Sequence, residues 1–167
     1  MKGKELRAAL KAGKAEAFEQ DPDLAKGKKL TGILLLIWAA SRTFLLVMEL
    51  VCARIGFIDS NPVNWATMVI LLLFAWWIYQ GSGALAWLPI AGGVFMLISC
   101  VREKLFFLLG IDLDPTFRLY LIAYISAAVI QILVMALILT LPSCRNYAQT
   151  MLRVTKELNE GQREHRL

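Results

Sequence analysis

Arg42 is the residue whose chemistry is hardest to reconcile with its surroundings. It falls near the midpoint of an apolar run, residues 30–53. At the centre of a membrane helix an arginine costs about 2.5 to 3.5 kcal/mol on insertion scales and cannot shed its charge. It therefore needs a partner or water. Glu49 lies seven residues further on, on the same helix face and about 10 Å along the axis. Helix side chains lean toward the N-terminus, so Arg42 points away from Glu49 and each charge is expected to look to another helix or to water. A second run, residues 117–141, sets Tyr120, Tyr124 and Gln131 on one face by spacings of four and seven. Gln131 is near the centre of that run, and the depth of the two residues predicts an Arg42–Gln131 contact. At the same depth of a third run stand Gly92 and Gly93, with Pro89 just before them. Missing side chains there permit close helix packing, or a hinge whose unwound carbonyls could meet a cation or substrate, and Pro89 is expected to weaken the helix.

Two kinds of chemistry follow from that set. In one, Arg42, Tyr124 and Gln131 line a polar midplane site with Glu49 toward the outer side, as a small channel or transporter uses. In the other, Arg42 and Gln131 join helices, within the bundle or between subunits, and the protein is a non-enzymatic subunit or oligomeric membrane component. The sequence favours assembly and keeps transport as the alternative. Four helices make a thin bundle, so transport would call for an oligomer. Ala123 and Ala127 form a small-xxx-small pair that suits a close helix neighbour, in this chain or another.

Other chemistry is poorly provided for. Cys52, Cys100 and Cys144 are far apart with no CxxC pair, and the single histidine, His165, is two residues from the C-terminus. No metal or cofactor site and no histidine-based nucleophile is expected. Cys52 and Cys100 could pair in an oxidising compartment, although thiols in apolar helices usually act as small hydrophobes, and Cys144 lies at the cytosolic edge. Asp112 and Asp114 are close in sequence, with Asp59 and Glu103 on the same expected side, and two aspartates before Pro115 are explained first by turn and cap chemistry. The chain is not expected to be an enzyme.

The elements that carry these residues follow from composition. A chain with 58% hydrophobic and only 19% charged residues holds more apolar surface than a soluble domain hides. The expected fold is an all-α integral membrane protein, a four-transmembrane-helix bundle with polar, partly helical cytosolic termini. The spans are 30–53, 63–79, 84–101 and 117–141 inside a transmembrane domain 30–142. Asn61 and Pro62 cap and start the second, Gln80-Gly81-Ser82-Gly83 allows a tight hairpin to the third, and Asp114-Pro115 caps the fourth. Trp76, Trp77, Tyr79 and Trp87 flank the hairpin as an aromatic belt does at a membrane surface. Residues 105–109 are apolar but too short to cross and are expected along the interface.

The polar ends hold most of the charge. Segment 1–29 carries eight of the 18 lysines and arginines, and segment 143–167 carries five. By the positive-inside rule both ends are cytosolic, in a multi-pass protein of the cell membrane. The hairpin between spans two and three departs from the rule, since it has no positive charge. The bilayer and a second copy or membrane subunit are the expected partners, with anionic lipid at the basic termini. No nucleic acid is expected, because the basic residues lack an aromatic-interleaved pattern. Leu6, Leu10 and Ala17 suggest a short, weakly amphipathic helix ended by Asp21-Pro22-Asp23, loosely attached or disordered. Tyr147, Met151, Val154 and Leu158 form the seam of a C-terminal amphipathic helix, expected to lie on the membrane surface or a neighbouring chain.

Overall fold

The computed structural model describes residues 3–56, 58, 62–103 and 114–164. These residues form α1 (Gly3–Gln20), α2 (Asp23–Ile55), α3 (Pro62–Tyr79), a 3₁₀ turn (Gly83–Ala86), α4 (Trp87–Glu103), α5 (Pro115–Thr140) and α6 (Pro142–Glu164), with no strand among them. The roles expected of Asn61, Asp59, Asp112, His165 and the run 105–109 lie outside the described residues, as do the side chains of Leu6, Glu103 and Leu158.

Local chemistry accounts for the boundaries. α1 stops where Pro22 offers no N–H, and Asp21 Oδ1 accepts the Asp23 N–H at 2.9 Å, starting α2. Nothing in Asp23–Lys29 breaks a helix, so α2 begins before its apolar run and extends for 33 residues, about 50 Å at 1.5 Å per residue. That exceeds a hydrocarbon core of about 30 Å by several turns. At its far end Gly56 takes φ +85°, and its N–H closes back on the carbonyls of Cys52 and Ala53, the left-handed C-terminal geometry that glycine permits. Asp114 Oδ1 accepts the Thr116 N–H at 2.8 Å with Pro115 at the first helical position, which is the cap expected of it. Leu141, forced to extended geometry before Pro142, is the whole connection between α5 and α6.

Among the described residues, three stretches are long and apolar enough to cross a membrane: Asp23–Ile55, Gly83–Val101 and Pro115–Thr140. They are compatible with a multi-pass membrane protein. The fourth expected span rests on α3, whose apolar stretch Ala66–Tyr79 is shorter than the ~20 residues a crossing helix usually spends. Large apolar side chains such as Leu36, Phe44, Ile70, Phe95 and Leu133 face outward, as they do in helices solvated by lipid.

α5 is the central helix. It packs against α2 along one side and α4 along another, while α3 touches α2 and the 3₁₀ turn. Small residues make this possible. Ala123 and Ala127 are buried in a cluster with Leu45, Cys52, Tyr120 and Leu121, so the small-xxx-small pair serves contact with α2 inside the chain. Gly93 lies so close to α5 that a Cβ there would sit 2.8 Å from Ile132 Cγ1 and 3.2 Å from the Ala128 carbonyl. A second cluster joins Leu34, Leu35 and Trp38 of α2 to Ile78, Ala86, Val134, Met135 and Cys144.

The terminal helices pack on the rest of the chain. α1 is helical over Gly3–Gln20, and its Ala17 and Phe18 pack on Leu24, Tyr147 and Met151. Of the seam of α6, Tyr147 and Met151 are buried against Leu24 of α2 and against α1, and Val154 is half-buried. The reason is steric fit. Gly27 admits the Ser143 carbonyl, Gly81 with φ +104° admits Met151, and Gly83 leaves room for Ala148. Tyr147 Oη then donates to the Tyr79 carbonyl at 2.6 Å, and Asn146 Nδ2 to Asp21 Oδ2 at 3.0 Å. α1, α6, the start of α2 and the α3–α4 turn therefore meet at one end of the molecule.

Candidate functional site

Gln131 is the hub of the apolar region. It is 1% exposed, and its Oε1 accepts from Trp38 Nε1 at 3.0 Å and from Arg42 Nε at 2.8 Å. Its Nε2 donates to the Pro89 carbonyl. One side chain thus ties α2, α4 and α5 together with three of the four hydrogen bonds a carboxamide can make. In an apolar interior each unmade bond would carry a desolvation cost of about 1–3 kcal/mol. Arg42 and Gln131, 89 residues apart, are brought together, with Gln131 as acceptor toward the cation.

α2 presents Trp38, Arg42, Leu45 and Glu49 at successive spacings of four, three and four, the stripe that one helix face shows to its neighbours. Arg42, Glu49, Tyr124, Gln131, Pro89 and Gly92 all line a single cleft of about 300 Å³ between α2, α3, α4 and α5. Glu49 and Tyr124 are both within electrostatic reach of the Arg42 guanidinium. Behind them Tyr120, its ring centroid 6.2 Å from that of Tyr124, is within similar reach of Glu49, Cys52 and Cys100. Those two thiols and Cys144 are buried and are not joined in disulfides.

Gly92 and Gly93 have different roles. α4 is continuous through both, because close packing on α5 holds the backbone in its helical bonds. Gly93 is the contact glycine, whereas Gly92 opens the cleft toward Gln131 Nε2, 3.4 Å from where its Cβ would stand. Pro89 does not interrupt α4. It stands in the first turn of α4, where its absent N–H has no intrahelical acceptor to lose. Its carbonyl becomes the acceptor for Gln131.

Two residues of this arrangement were not anticipated. Trp38, four residues before Arg42, had a usable signal in its spacing, since a tryptophan whose N–H is buried wants a partner. Thr67 lines the cleft from α3, and nothing in the apolar sequence around it marks that face.

The cleft is bounded by a fixed cation, a carboxylate, a phenol and a hydroxyl, in apolar walls that include Leu71 and Met96. Such a lining binds and orients a small polar molecule. No protein-family model, curated protein or solved structure matches the chain, so what the cleft does is argued from its geometry.

Proposed function

We propose that the chain is a non-enzymatic membrane protein with four crossings and both termini in the cytosol, which binds a small polar solute in the Arg42 cleft as a carrier or channel subunit does. The carrying observation is that Arg42 and Glu49, charges of opposite sign, line one cavity of about 300 Å³ among apolar helices. A charge held there is costly and marks a pathway or binding site by default. Because both signs are present, a zwitterion or neutral polar solute meets complementary groups, whereas a simple ion meets one repulsive wall.

Four crossings are supported by parity. α1 packs on α6, and α2 enters from the same end. An even number of crossings leaves both termini on one side, and the three long apolar helices alone would give an odd number. α3 supplies the fourth, since its Tyr79 end is held by Tyr147 of α6. The terminal lysines and arginines then put that end in the cytosol.

A second reading is favoured by Gln131, whose bonds to α2 and α4 make Arg42 part of a structural lock. In that reading the cleft receives a polar side chain from another subunit. The two are separated by reconstituting wild type, Arg42→Gln and Glu49→Gln into proteoliposomes and measuring uptake of a radiolabelled amino-acid mixture beside the mass of the nanodisc-solubilised protein. The carrier reading expects uptake above empty liposomes that falls about tenfold or more in each variant, with mass unchanged. Absence of uptake, together with an oligomer that Arg42→Leu dissolves, would replace it with the assembly reading.

A further inference from the structure

We propose that Lys11, Lys14 and Lys28 form a binding site for a phosphate-bearing anion, at the end of the molecule where the two terminal helices meet the α3–α4 turn. The three lysines line one cavity of about 470 Å³ whose other polar walls are Gln80 and Tyr147, and no lining residue is acidic. The ion pairs nearby go elsewhere, with Lys26 on Asp23 at 2.8 Å. Two of the cavity's three ammonium groups are held by neutral partners. Lys14 Nζ donates to the Gln80 carbonyl at 3.4 Å, and Lys28 Nζ stands over the Phe18 and Tyr79 rings at 5.3 and 5.5 Å. Aromatic faces and a carbonyl orient a cation without neutralising it.

Electrostatics supports the same reading. The Lys14 ammonium is pushed below the usual lysine range by burial and then by the nearby charge of Lys28. A bound anion turns that repulsion into shared attraction. Phosphate suits three converging ammonium groups better than a carboxylate does, since it offers three acceptor oxygens and up to two charges. Leu10, Phe18 and Met151 add apolar wall to the same cavity. The neighbouring α3–α4 turn is flanked by exposed Trp76, Trp77 and Trp87, residues that settle at the depth of lipid headgroups. The phosphate can thus belong to an anionic lipid headgroup or to a soluble phosphate compound. This site is independent of what the Arg42 cleft binds.

The test uses full-length protein in neutral detergent with three probes: dioctanoyl phosphatidic acid, dioctanoyl phosphatidylcholine and inorganic phosphate. Binding is read by native mass spectrometry and calorimetry, with helicity checked by circular dichroism. Wild type is expected to take phosphatidic acid at least about tenfold more tightly than phosphatidylcholine. Lys14→Gln and Lys28→Gln should each weaken it about tenfold, and Lys14→Arg should retain it. Lys11→Gln, at an exposed position, repeats the measurement without touching the Gln80 contact. Lys29→Gln removes the same charge outside the cavity and should change nothing. Displacement of phosphatidic acid by inorganic phosphate identifies a soluble ligand, and binding of the lipid alone identifies a headgroup; either supports the site. Equal binding of the two lipids, or a loss in Lys29→Gln matching that in Lys14→Gln, overturns it in favour of diffuse surface charge.

Discussion

At the scale of single residues, Gln131 decides whether the apolar helices can hold an arginine. Replacing it by leucine leaves the Trp38 N–H and the Arg42 Nε without their acceptor. The expected loss is about 1–3 kcal/mol, above the ~0.6 kcal/mol average for an interhelical hydrogen bond in a membrane, because two donors are orphaned at once. Reversible unfolding in mixed micelles measures it, and Gln131→Leu stability equal to wild type would mean that water serves both donors. Much of this pair was legible. Arg42 in an apolar run announces a need, and Gln131 is the polar residue at matching depth. That Gln131 also spends its N–H on Pro89 was not legible, since every carbonyl looks alike in sequence.

Tyr147 carries a prediction of a different kind. Burial, and then Tyr79, raise its phenol to about 12, against an ordinary value near 10. A folded-state value above the unfolded one means the neutral phenol stabilises the fold below about pH 10. That contribution disappears as pH rises through about 12. The α6 docking, followed by protease susceptibility at the C-terminal helix, should therefore loosen between about pH 10 and 12. Tyr147→Phe should be weaker at neutral pH, lacking the bond to the Tyr79 carbonyl, yet lose this alkaline transition. An unchanged alkaline transition in Tyr147→Phe would assign it to another group.

At the scale of elements, the α4–α5 contact depends on one glycine of the Gly92-Gly93 pair. A Cβ at position 93 collides with Ile132 and approaches the Ala128 carbonyl, whereas one at position 92 makes ordinary contact. Gly93→Ala should thus destabilise the protein by about 1–3 kcal/mol through overpacking, and Gly92→Ala should be near neutral in stability while narrowing the cleft. Thermal melts of the two variants in nanodiscs decide this, and equal melting of both would show that α4 shifts to absorb the methyl. Sequence marked the pair as a place of close packing or unwinding. Which glycine faces which neighbour depends on the rotation of α4 about its axis.

At the scale of the whole molecule, both ends of the chain meet through α1 and α6. The proposed four crossings predict that protease sites added at either terminus are cut from the same side of oriented vesicles. A site inserted at residues 57–61 should be cut only from the other side. Termini accessible from opposite sides would leave three crossings and remove α3 from the membrane. The packed terminal end also creates the lysine cavity, to which α1, α2, α6 and the α3–α4 turn each contribute a wall.

The sequence by itself determined where the helices lie, that they are apolar enough for a membrane, and that Arg42 requires company. Those properties are local: caps such as Asp114-Pro115, breakers such as Asp21-Pro22 and apolar run lengths act within a few residues. α6 was legible as an amphipathic helix for the same reason. Only the tertiary structure decided which faces meet. Outside the face of Tyr120, Tyr124 and Gln131, α5 is mostly apolar around its circumference, and an apolar surface carries no periodic signal for which neighbour each side meets. Steric fit at Gly27, Gly81, Gly83 and Gly93 chose the packing. It docked Tyr147 and Met151 of α6 onto its own chain and gathered Arg42, Glu49, Tyr124 and Gln131 around one cleft.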